Sequence, residues 1–449
     1  MSIFFANFAS MMWGPWLLTL LLGVGFWLTF RLGGIQFRSL FYALRLAFSK
    51  ERSGEGDISH FGALMTAMAA TLGMGNIAGV STAVALGGPG AIFWMWMTGL
   101  VGMATKYSES FLAVKYRQIN EHGEISGGPM YYLEYGLGQK WLGMCFAVFG
   151  SLAAFGIGNM VQANTAAAAV VESLGSSKFS VGIILSVLTG MVIIGGIKRI
   201  AEVASIFVPF MVAIYFVGAL IVVFSHLGQL GVGIKLIFEH AFTGTAATGG
   251  FIGATLAKTI RYGVARGLFS NESGMGSAPI AAAAAKTNHP AKQALVSMSG
   301  TFLDTLVVCS LTALALASSG VWVSGETGVA LTMQAFSEGL PGNWGHIIVT
   351  LSAITFAFST ILAWEYYGEK CFEYLFGDKW VHFYRYLWVL FVFIGSIVKL
   401  EVVWNFSDAM NALMAIPNLI GLLLLSGVLF RGTKAYEMGV RDGSINKFD

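Results

Sequence analysis

Two short glycine-containing breaks interrupt long apolar stretches, and they read Gly73-Met74-Gly75-Asn76 and Gly274-Met275-Gly276-Ser277. Glycine costs a helix interior about 1 kcal/mol relative to alanine, so paired glycines at apolar depth predict locally unwound backbone. Unwound backbone exposes N–H groups at one helix end and carbonyl groups at the other. N–H groups around Gly73 to Asn76 suit a carboxylate, and carbonyls near Phe269 and Ser270 suit an ammonium group. A kink without a binding function is the alternative for either break alone.

Composition places these breaks inside a membrane. Hydrophobic residues make up 56% of the chain, charged residues only 11%, and the mean hydropathy is +0.72. Such values differ from those of soluble domains and predict an integral membrane protein surrounded by the lipid bilayer. The formal charge of +3 is small, and we expect no nucleic-acid partner. Cys145, Cys309 and Cys371 lack Cys-x-x-Cys spacing, which predicts buried packing residues rather than a disulfide framework or a zinc site.

The apolar stretches predict an all-α integral membrane fold with eleven transmembrane helices. A bilayer core of about 30 Å needs about 20 apolar helical residues per crossing. The first crossing is a retained N-terminal helix from Trp16 to Phe30, and an amphipathic interfacial helix with Phe37, Leu40, Leu44 and Phe48 follows it. The other spans are predicted at about 61–86, 91–116, 141–171, 180–196, 202–225, 262–285, 293–317, 346–372, 383–399 and 402–430.

The two breaks lie at equivalent points of an internal repeat. Met275 and Met74 are separated by 275 − 74 = 201 positions. Adding 201 to the starts of the first five spans after the N-terminal helix gives the starts of the last five spans to within four residues. Because five is odd, the second unit enters the membrane from the opposite side, which predicts a five-plus-five inverted repeat with two broken helices and one extra N-terminal helix. Chance spacing of apolar segments is the alternative.

Charge then predicts the orientation of the chain. If the loop after the first helix is cytoplasmic, most of the 26 Lys and Arg residues lie on the cytoplasmic side, among them Arg117, Lys198, Arg199, Lys286, Lys292 and Arg431. The positive-inside rule therefore predicts a cytoplasmic-membrane protein with its N-terminus outside and its C-terminus inside. The predicted segments are 1–59 with the N-terminal and interfacial helices, 60–227 as the first repeat, 228–261 as an extracellular segment, 262–430 as the second repeat, and 431–449 as a cytoplasmic tail.

Polar side chains at membrane depth are candidates for the site. Glu109, Glu272 and Asp304 are acids at or near that depth, which makes them functional candidates. Glu272 could bind a substrate ammonium or could accept backbone donors and hold the second break open. We expect the second, structural role for Glu109 and assign no role to Asp304. Asn159 and Gln162 share a helix face, where amides could join helices or bind a substrate carboxylate, and we expect the latter.

Longer motifs resemble those of the alanine or glycine:cation symporter family. They are Gly56-Asp57-Ile58-Ser59-His60-Phe61, Gly73-Met74-Gly75-Asn76-Ile77-Ala78-Gly79-Val80, Gly87-Gly88-Pro89-Gly90-Ala91, Met103-Ala104-Thr105-Lys106-Tyr107, Gly127-Gly128-Pro129-Met130-Tyr131 and Asn159-Met160-Val161-Gln162-Ala163-Asn164. The resemblance covers nearly the whole chain. It implies sodium coupling and the leucine-transporter fold, with the first helix outside the two repeats.

The resemblance also implies two cation sites and a substrate site. One sodium ion would lie near the substrate carboxylate, with ligands from Thr71, Asn76 and Ser270. A second would be held by carbonyls of Ala69, Leu72 and Phe356 and by hydroxyls of Ser359 and Thr360, although these hydroxyls could instead bond their own helix. Hard oxygen ligands of this kind suit an alkali cation. The implied substrate-binding residues are Thr71, Gly73, Met74, Gly75, Asn76, Asn159, Gln162, Phe269, Ser270, Glu272, Gly274, Met275 and Trp364.

The residue at Gly73 indicates the kind of substrate. In similar transporters of amines that lack a carboxylate, an Asp occupies this position, so Gly73 implies a substrate that carries its own carboxylate. The bulk of Met74, Met275, Phe269 and Trp364 implies a small substrate side chain, although each could be plain packing. Family members can carry Thr where this sequence has Met74, which leaves the size and stereochemical preference open.

These observations predict a sodium-coupled symporter that imports small neutral amino acids, alanine or glycine, by alternating access. Sodium is the coupling ion, and we expect no cofactor, no obligate protein partner and no enzyme activity. A proton-coupled amino-acid symporter is the nearest alternative because Glu272 or Asp304 could titrate. An ion channel or a membrane-embedded enzyme is a further alternative, but the sequence shows neither a repeated filter nor a nucleophile with its base.

Overall fold

The computed structural model describes residues 2–49, 54–398 and 401–446, and within them the chain is almost entirely helical. The first half contains α1 (Ser2–Met12), α2 (Pro15–Arg31), α3 (Ile35–Ala47), α4 (His60–Thr71), α5 (Val80–Gly87), α6 (Ala91–Lys115), α7 (Pro129–Tyr131), α8 (Lys140–Ala153), α9 (Val161–Leu174), α10 (Lys178–Ile193), α11 (Gly196–Ser225) and α12 (Leu227–Thr243). The second half contains α13 (Leu256–Asn271), α14 (Pro279–Ala283), α15 (Pro290–Thr301), α16 (Ser310–Ser319), α17 (Gly328–Gly339), α18 (Trp344–Phe376), α19 (Val381–Ile397), α20 (Glu401–Leu424) and α21 (Ser426–Asp442).

Shorter elements connect or interrupt these helices. π-Helical turns occupy Gly75–Gly79, Tyr132–Gly136, Ala154–Met160 and Phe302–Cys309. Short 3₁₀ helices occupy Val321–Val323 and Asp378–Trp380, and β1 (Gln118–Ile119) pairs antiparallel with β2 (Ile125–Ser126). π-Helical turns inside helices are frequent at functional sites, and the turn Phe302–Cys309 carries Asp304.

Seven helices of the described chain are long and apolar enough to cross a membrane: Phe4–Arg31, Lys140–Val171, Gly196–Ser225, Pro290–Ser319, Trp344–Phe376, Asp378–Ile397 and Val403–Leu424. The pair His60–Thr71 and Gly75–Gly87, bent by 51°, makes up to eight. The all-helical membrane fold is therefore confirmed. α6, α10 and the pair α13–α14 occupy the other predicted places, so the count of eleven crossings stays a prediction.

The element order follows the two predicted units. In the first unit α4 and α5 form the broken helix, and α6, α8–α9, α10 and α11 follow it. In the second unit α13 and α14 form the broken helix, and α15–α16, α18, α19 and α20 follow it. Both breaks thus stand first in their units, and the inverted relation between the units stays a prediction.

Some element bounds differ from the predicted ones. The outer segment predicted over 228–261 contains α12, and α13 already begins at Leu256. The last predicted span, 402–430, is divided at Leu425, where α20 ends and α21 begins. At the other end of the chain, α1 precedes the predicted N-terminal helix. Apolar composition predicts that a helix is buried in lipid or protein, but a single turn-forming residue decides where it ends.

α3 is the amphipathic helix that the sequence predicts. It buries Ile35, Ala43 and Leu46 against the rest of the protein. Phe37 and Phe41 are exposed on the opposite side. Large apolar side chains on the outer face of a helix rich in arginine suit the interface between lipid and water.

The two broken helices are tied together at one end of the molecule, which is the predicted cytoplasmic end. Ile58, just before α4, forms a β-bridge with Ala285, just after α14. The Arg117 guanidinium donates hydrogen bonds of 2.9 and 2.8 Å to the carbonyls of Ala283 and Ala285. A cation at the C-terminal end of a helix satisfies carbonyls that have no intrahelical donor. These contacts close the bundle at this end.

Candidate functional site

The first break separates α4 from a π-helical turn. α4 ends at Thr71, and the helix resumes at Gly75. Asn76 caps the break, because its side-chain Oδ1 accepts a hydrogen bond from the Gly73 N–H at 3.0 Å. A Cβ on Gly75 would lie 3.0 Å from the Cα of Ser270, so only glycine allows the two broken helices to approach this closely here.

The second break has a different backbone. α13 ends at Asn271, and Glu272 follows in the left-handed region with φ 54°. Gly274 has φ 89°, a conformation that L-residues with a side chain rarely adopt. The Glu109 carboxylate supports this segment by accepting hydrogen bonds from the Gly276 N–H at 3.0 Å and from Asn418 Nδ2 at 2.6 Å. These contacts are of the structural kind that we expected for Glu109.

A small cavity of about 20 Å³ lies between the two breaks. Its lining combines both broken helices with α9, α18 and α20, and consists of Ala70, Thr71, Gly73, Met74, Gly75, Ile157, Gln162, Phe269, Glu272, Met275, Thr360, Trp364 and Asn411. A volume of this size holds about one water molecule, so a ligand must be admitted by movement of the surrounding helices. Nine of the thirteen predicted substrate-binding residues line this cavity, and Asn76, Asn159, Ser270 and Gly274 do not.

Glu272 connects the second break to α18. Its Oε1 accepts a hydrogen bond from the Trp364 indole at 3.0 Å, and its Oε2 accepts one from the Ser277 hydroxyl at 2.6 Å. The carboxylate lines the cavity, and the residue is only 7% exposed. The arrangement suits both roles considered for Glu272, because it holds the break and also presents a negative charge to the cavity.

The first predicted cation site is organised around Asp304. Asn76 Nδ2 donates to its Oδ1 at 2.8 Å, and the Ser270 hydroxyl donates to its Oδ2 at 3.0 Å. The Thr71 hydroxyl donates to the Ala67 carbonyl at 3.2 Å, and the residue lines an adjoining cavity together with Asp304. Cys309 Sγ also lies 3.3 Å from both Asn76 Nδ2 and Ser270 Oγ. The structure therefore gives a position in the site to an acid that the sequence left unassigned.

The second predicted cation site brings together four of its five residues. The Ser359 hydroxyl lies 3.2 Å from the Ala69 carbonyl and 2.9 Å from the Phe356 carbonyl. The Thr360 hydroxyl has the same two partners at 3.2 and 2.9 Å. Both hydroxyls thus bond their own helix and also α4. Leu72, the fifth residue, is buried at the end of α4.

The two amides predicted to bind substrate have different positions. Asn159 Nδ2 donates to the Trp388 carbonyl at 2.9 Å, so Asn159 joins its helix to α19 and does not reach the cavity. This placement corrects our expectation, because the π-helical turn Ala154–Met160 directs Asn159 toward α19 while Gln162 lines the cavity. Gln162 Oε1 and Asn411 Oδ1 are buried without a hydrogen-bond partner in the described part of the chain.

Asn411 is a lining residue that the sequence analysis missed. It lies in α20 and is 4% exposed. A signal was present, because Asn411 and Asn418 are two amides seven positions apart in a predicted span, and such residues lie on the same helix face. Asn418 Nδ2 donates to the Gly274 carbonyl of the second break at 2.8 Å and to Glu109, and Asn411 lines the cavity.

A wider vestibule lies beside this cavity on the predicted outer side. It has a volume of about 220 Å³ and is lined by residues of α1, α13 and α20, including Trp13, Arg261, Tyr262, Arg266, Phe269 and Asp408. Phe269 lines both spaces. The Arg266 guanidinium lies 5.8 Å from the centre of the Phe269 ring, within range of a cation–π contact. Phe269 therefore forms the partition between vestibule and cavity.

Comparisons with known proteins cover the whole chain. The model of the sodium:alanine symporter family matches residues 1–449. The sodium/alanine symporter AgcS of Methanococcus maripaludis is 53% identical over 438 residues, which covers 95% of each chain. An uncharacterized transporter of Haemophilus influenzae is 48% identical over 442 residues, 98% of this chain and 96% of that one. The structure of MhsT in complex with L-phenylalanine aligns over 83% of this chain and 89% of that chain with a TM-score of 0.60, and its 14% identity supports a shared fold only.

Proposed function

We propose that this chain, a transporter that belongs to the sodium:alanine symporter family, imports small neutral amino acids together with sodium by alternating access. The predicted family is confirmed by the match over the full length, and the chain is a multi-pass membrane protein rather than an enzyme. Alanine and glycine are the proposed substrates. The cell membrane is the proposed location, with the N-terminus outside and the C-terminus in the cytoplasm.

The observation that carries this proposal is the cavity between the two breaks. On one side lies the helix start at Gly75, the positive end of the helix dipole, where the Gly73 N–H bonds Asn76 Oδ1 and the Asn76 N–H bonds the Gly73 carbonyl at 3.2 Å. On the other side lies the Glu272 carboxylate. Helix N–H groups attract a carboxylate and an acid attracts an ammonium, so the two sides complement an α-amino acid.

The shape of the first break favours a substrate with its own carboxylate. A Cβ on Gly73 would lie 2.9 Å from the Thr360 hydroxyl, so an acidic side chain at this position requires Thr360 to move. The bulky side chains of Met74, Met275 and Trp364 line the cavity and limit its size. Both features favour alanine or glycine over a large amino acid or an amine.

Sodium coupling is supported by the oxygen atoms at the second proposed cation site. Ser359 and Thr360 contribute hydroxyl oxygens and Ala69 and Phe356 contribute carbonyl oxygens, without an acid or a sulfur among them. Neutral oxygen ligands suit an alkali cation. This site bridges α4 to α18, so a cation bound there favours the state in which these helices are in contact. A cation drives transport only if it binds the two states with different affinity.

Alternating access is supported by the unequal closure of the two ends. On the predicted outer side the vestibule extends to Phe269, which also lines the cavity. On the predicted cytoplasmic side, Arg117 and the Ile58 bridge tie the broken helices together, and Arg385 forms an ion pair with Glu369 at 2.6 Å. We propose that substrate enters past Phe269 and leaves after the cytoplasmic contacts separate.

Uptake of alanine into proteoliposomes tests this function. Purified protein is given an inward sodium gradient, an inward potassium gradient or a proton gradient, and labelled alanine, glycine and glutamine are compared. We expect saturable alanine and glycine uptake that requires sodium. Uptake that is indifferent to sodium would exclude the proposed coupling, and the absence of saturable uptake for any small amino acid would exclude the proposed substrates.

Proton coupling is a second candidate, favoured by one observation. Glu272 and Asp304 are buried carboxylates beside the cavity and the first cation site. Such groups can carry a coupled proton. The same liposomes distinguish the two, because proton coupling predicts uptake driven by an inward proton gradient without sodium.

A further inference from the structure

Lys106 is a buried lysine at membrane depth. It lies in α6 and is 3% exposed, and its Nζ has no hydrogen-bond partner in the described part of the chain. An isolated ammonium group costs several kcal/mol in a low-dielectric interior. Packing against apolar neighbours does not offset that cost, so a lysine at this place indicates a function for its charge.

Three acids act electrostatically on Lys106: Glu109, Glu272 and Asp304. Glu272 is hydrogen-bonded at the second break through both oxygens, by Ser277 and Trp364. Glu109 accepts from the Gly276 N–H through Oε1, and its Oε2 has no hydrogen-bond partner in the described part of the chain. Asp304 instead accepts hydrogen bonds from Asn76 and Ser270. Asp304 is therefore the acid that Lys106 shares with the first proposed cation site.

Lys106 and Asp304 also share a space. Both line a small cavity of about 10 Å³, together with polar residues Thr71, Asn271, Ser297 and Thr301. The lysine side chain is a flexible four-carbon stem, so its ammonium can move over several ångströms without a change of backbone. Thr71, which is implied as a sodium ligand, lines the same cavity. The first proposed cation site thus has the ammonium group of Lys106 beside it.

When all four groups are ionised, the acids of this cluster outnumber its lysine. One lysine and three acids sum to +1 − 3 = −2. Buried charge is stable only when it is paired. A sodium ion at Asp304 supplies part of the missing charge in the loaded protein. After that ion leaves, Lys106 is the cationic residue, among the described residues that line this small cavity, that can pair with Asp304.

We propose that the Lys106 ammonium and a sodium ion are alternative partners of the Asp304 carboxylate, and that Lys106 neutralises Asp304 while the emptied carrier returns. The inference rests on the proposed sodium coupling. When sodium binds among Asp304, Asn76 and Ser270, Lys106 stays with Glu109 and Glu272. When sodium is released, the ammonium turns to Asp304, and the return step proceeds without an unpaired acid.

Lys106→Met tests the inference, with Lys115→Met at the exposed end of the same helix as the matched control. Two rates are measured in proteoliposomes: net alanine uptake driven by sodium, and exchange of internal for external alanine with saturating sodium on both sides. Exchange does not require return of the empty carrier. We expect Lys106→Met to lower net uptake at least about tenfold, to leave exchange within about twofold, and to lower the half-maximal sodium concentration at least about threefold because a competitor is removed. Lys115→Met should resemble the unmodified protein.

Equal losses of net uptake and exchange would overturn the inference, because they indicate a structural role for Lys106. Unchanged net uptake would overturn it as well. The double variant Lys106→Met with Asp304→Asn is compared with Asp304→Asn alone, and we expect the two to have the same half-maximal sodium concentration because the carboxylate for which lysine and sodium compete is absent from both. A roughly threefold difference between these two variants, as large as that between Lys106→Met and the unmodified protein, would contradict the pairing. If Lys106→Met does not fold, Lys106→Gln is compared by the same two rates. Sodium-independent uptake by the unmodified protein would instead refute the proposed function itself.

Discussion

The Thr360 hydroxyl donates a hydrogen bond to the Ala69 carbonyl at 3.2 Å, although the two residues are 291 positions apart in the sequence. Ser359 makes the same contact at the same distance. Ala69 belongs to the last turn of α4, where carbonyls begin to lose their intrahelical donors. The contact joins the helix before the first break to α18, and any movement of α4 must separate these oxygens.

Replacement of both hydroxyls should weaken sodium binding. We expect Ser359→Ala with Thr360→Ala to raise the half-maximal sodium concentration for alanine uptake at least about tenfold, because two of the oxygen ligands are removed. Thr355→Ala is the matched control, since Thr355 lies on the same helix and, among the residues that the structure describes, its hydroxyl bonds only the carbonyls of Leu351 and Ser352. An unchanged sodium dependence in the double variant would place the second cation elsewhere.

Neutralisation of Glu272 should lower the affinity for alanine strongly and lower the thermal stability of the protein only slightly. Glu272→Gln retains the size of the side chain but removes the charge that faces a substrate ammonium. A hydrogen bond to a charged group contributes about 1.5–3 kcal/mol, so we expect the dissociation constant for alanine to rise about tenfold or more, as measured by calorimetry on purified protein.

Ser277→Ala is the control for Glu272, because it removes one hydrogen bond to the same carboxylate and keeps the charge. We expect it to lower the thermal stability and to change alanine binding little. If Glu272→Gln lowers the thermal stability while the alanine affinity is retained, Glu272 only holds the break.

A methyl group at Gly75 should separate the two broken helices. Its Cβ would approach the Ser270 Cα to 3.0 Å, and overpacking of this kind costs about 1–3 kcal/mol. We expect Gly75→Ala to abolish most alanine uptake and to lower the thermal unfolding temperature. Gly79→Ala in the same π-helical turn is the control, because its Cβ meets only the Met74 carbonyl oxygen at 3.8 Å. Equal effects of both substitutions would show that helix propensity rather than close approach explains Gly75.

Truncation of Phe269 should open the partition between vestibule and cavity. We expect Phe269→Ala to accelerate release of bound alanine to the outer side about tenfold, because the half-buried aromatic ring between the two spaces is removed. Release is measured by dilution of protein loaded with labelled alanine. Tyr262→Ala, a residue that lines only the vestibule, should release alanine at the unmodified rate. If Phe269→Ala releases alanine at the unmodified rate, residues other than Phe269 separate the vestibule from the cavity.

Several features of the fold follow from local sequence. The glycine pairs predict both breaks, because glycine destabilises a helix wherever it stands, and the structure has a break at each. The 201-residue offset predicts that the helices of the two units follow one another in the same order. This order can be predicted from sequence because the length of each apolar span is set by the thickness of the membrane and not by the helices packed beside it. Glycine is required for a different reason at each break, and the sequence does not distinguish the two reasons. At Gly75 another helix approaches closely, and at Gly274 the backbone has a positive φ.

The sequence by itself determined the class of protein, the two breaks and the residue types around them. The tertiary structure alone decided which polar side chains face the cavity. It directed Asn159 to α19, placed Asn411 at the cavity and assembled Asp304 with Asn76 and Ser270. The physical reason is that the direction of a side chain depends on the rotation of its helix, which distant helices and π-helical turns set, whereas apolar length and glycine content act locally.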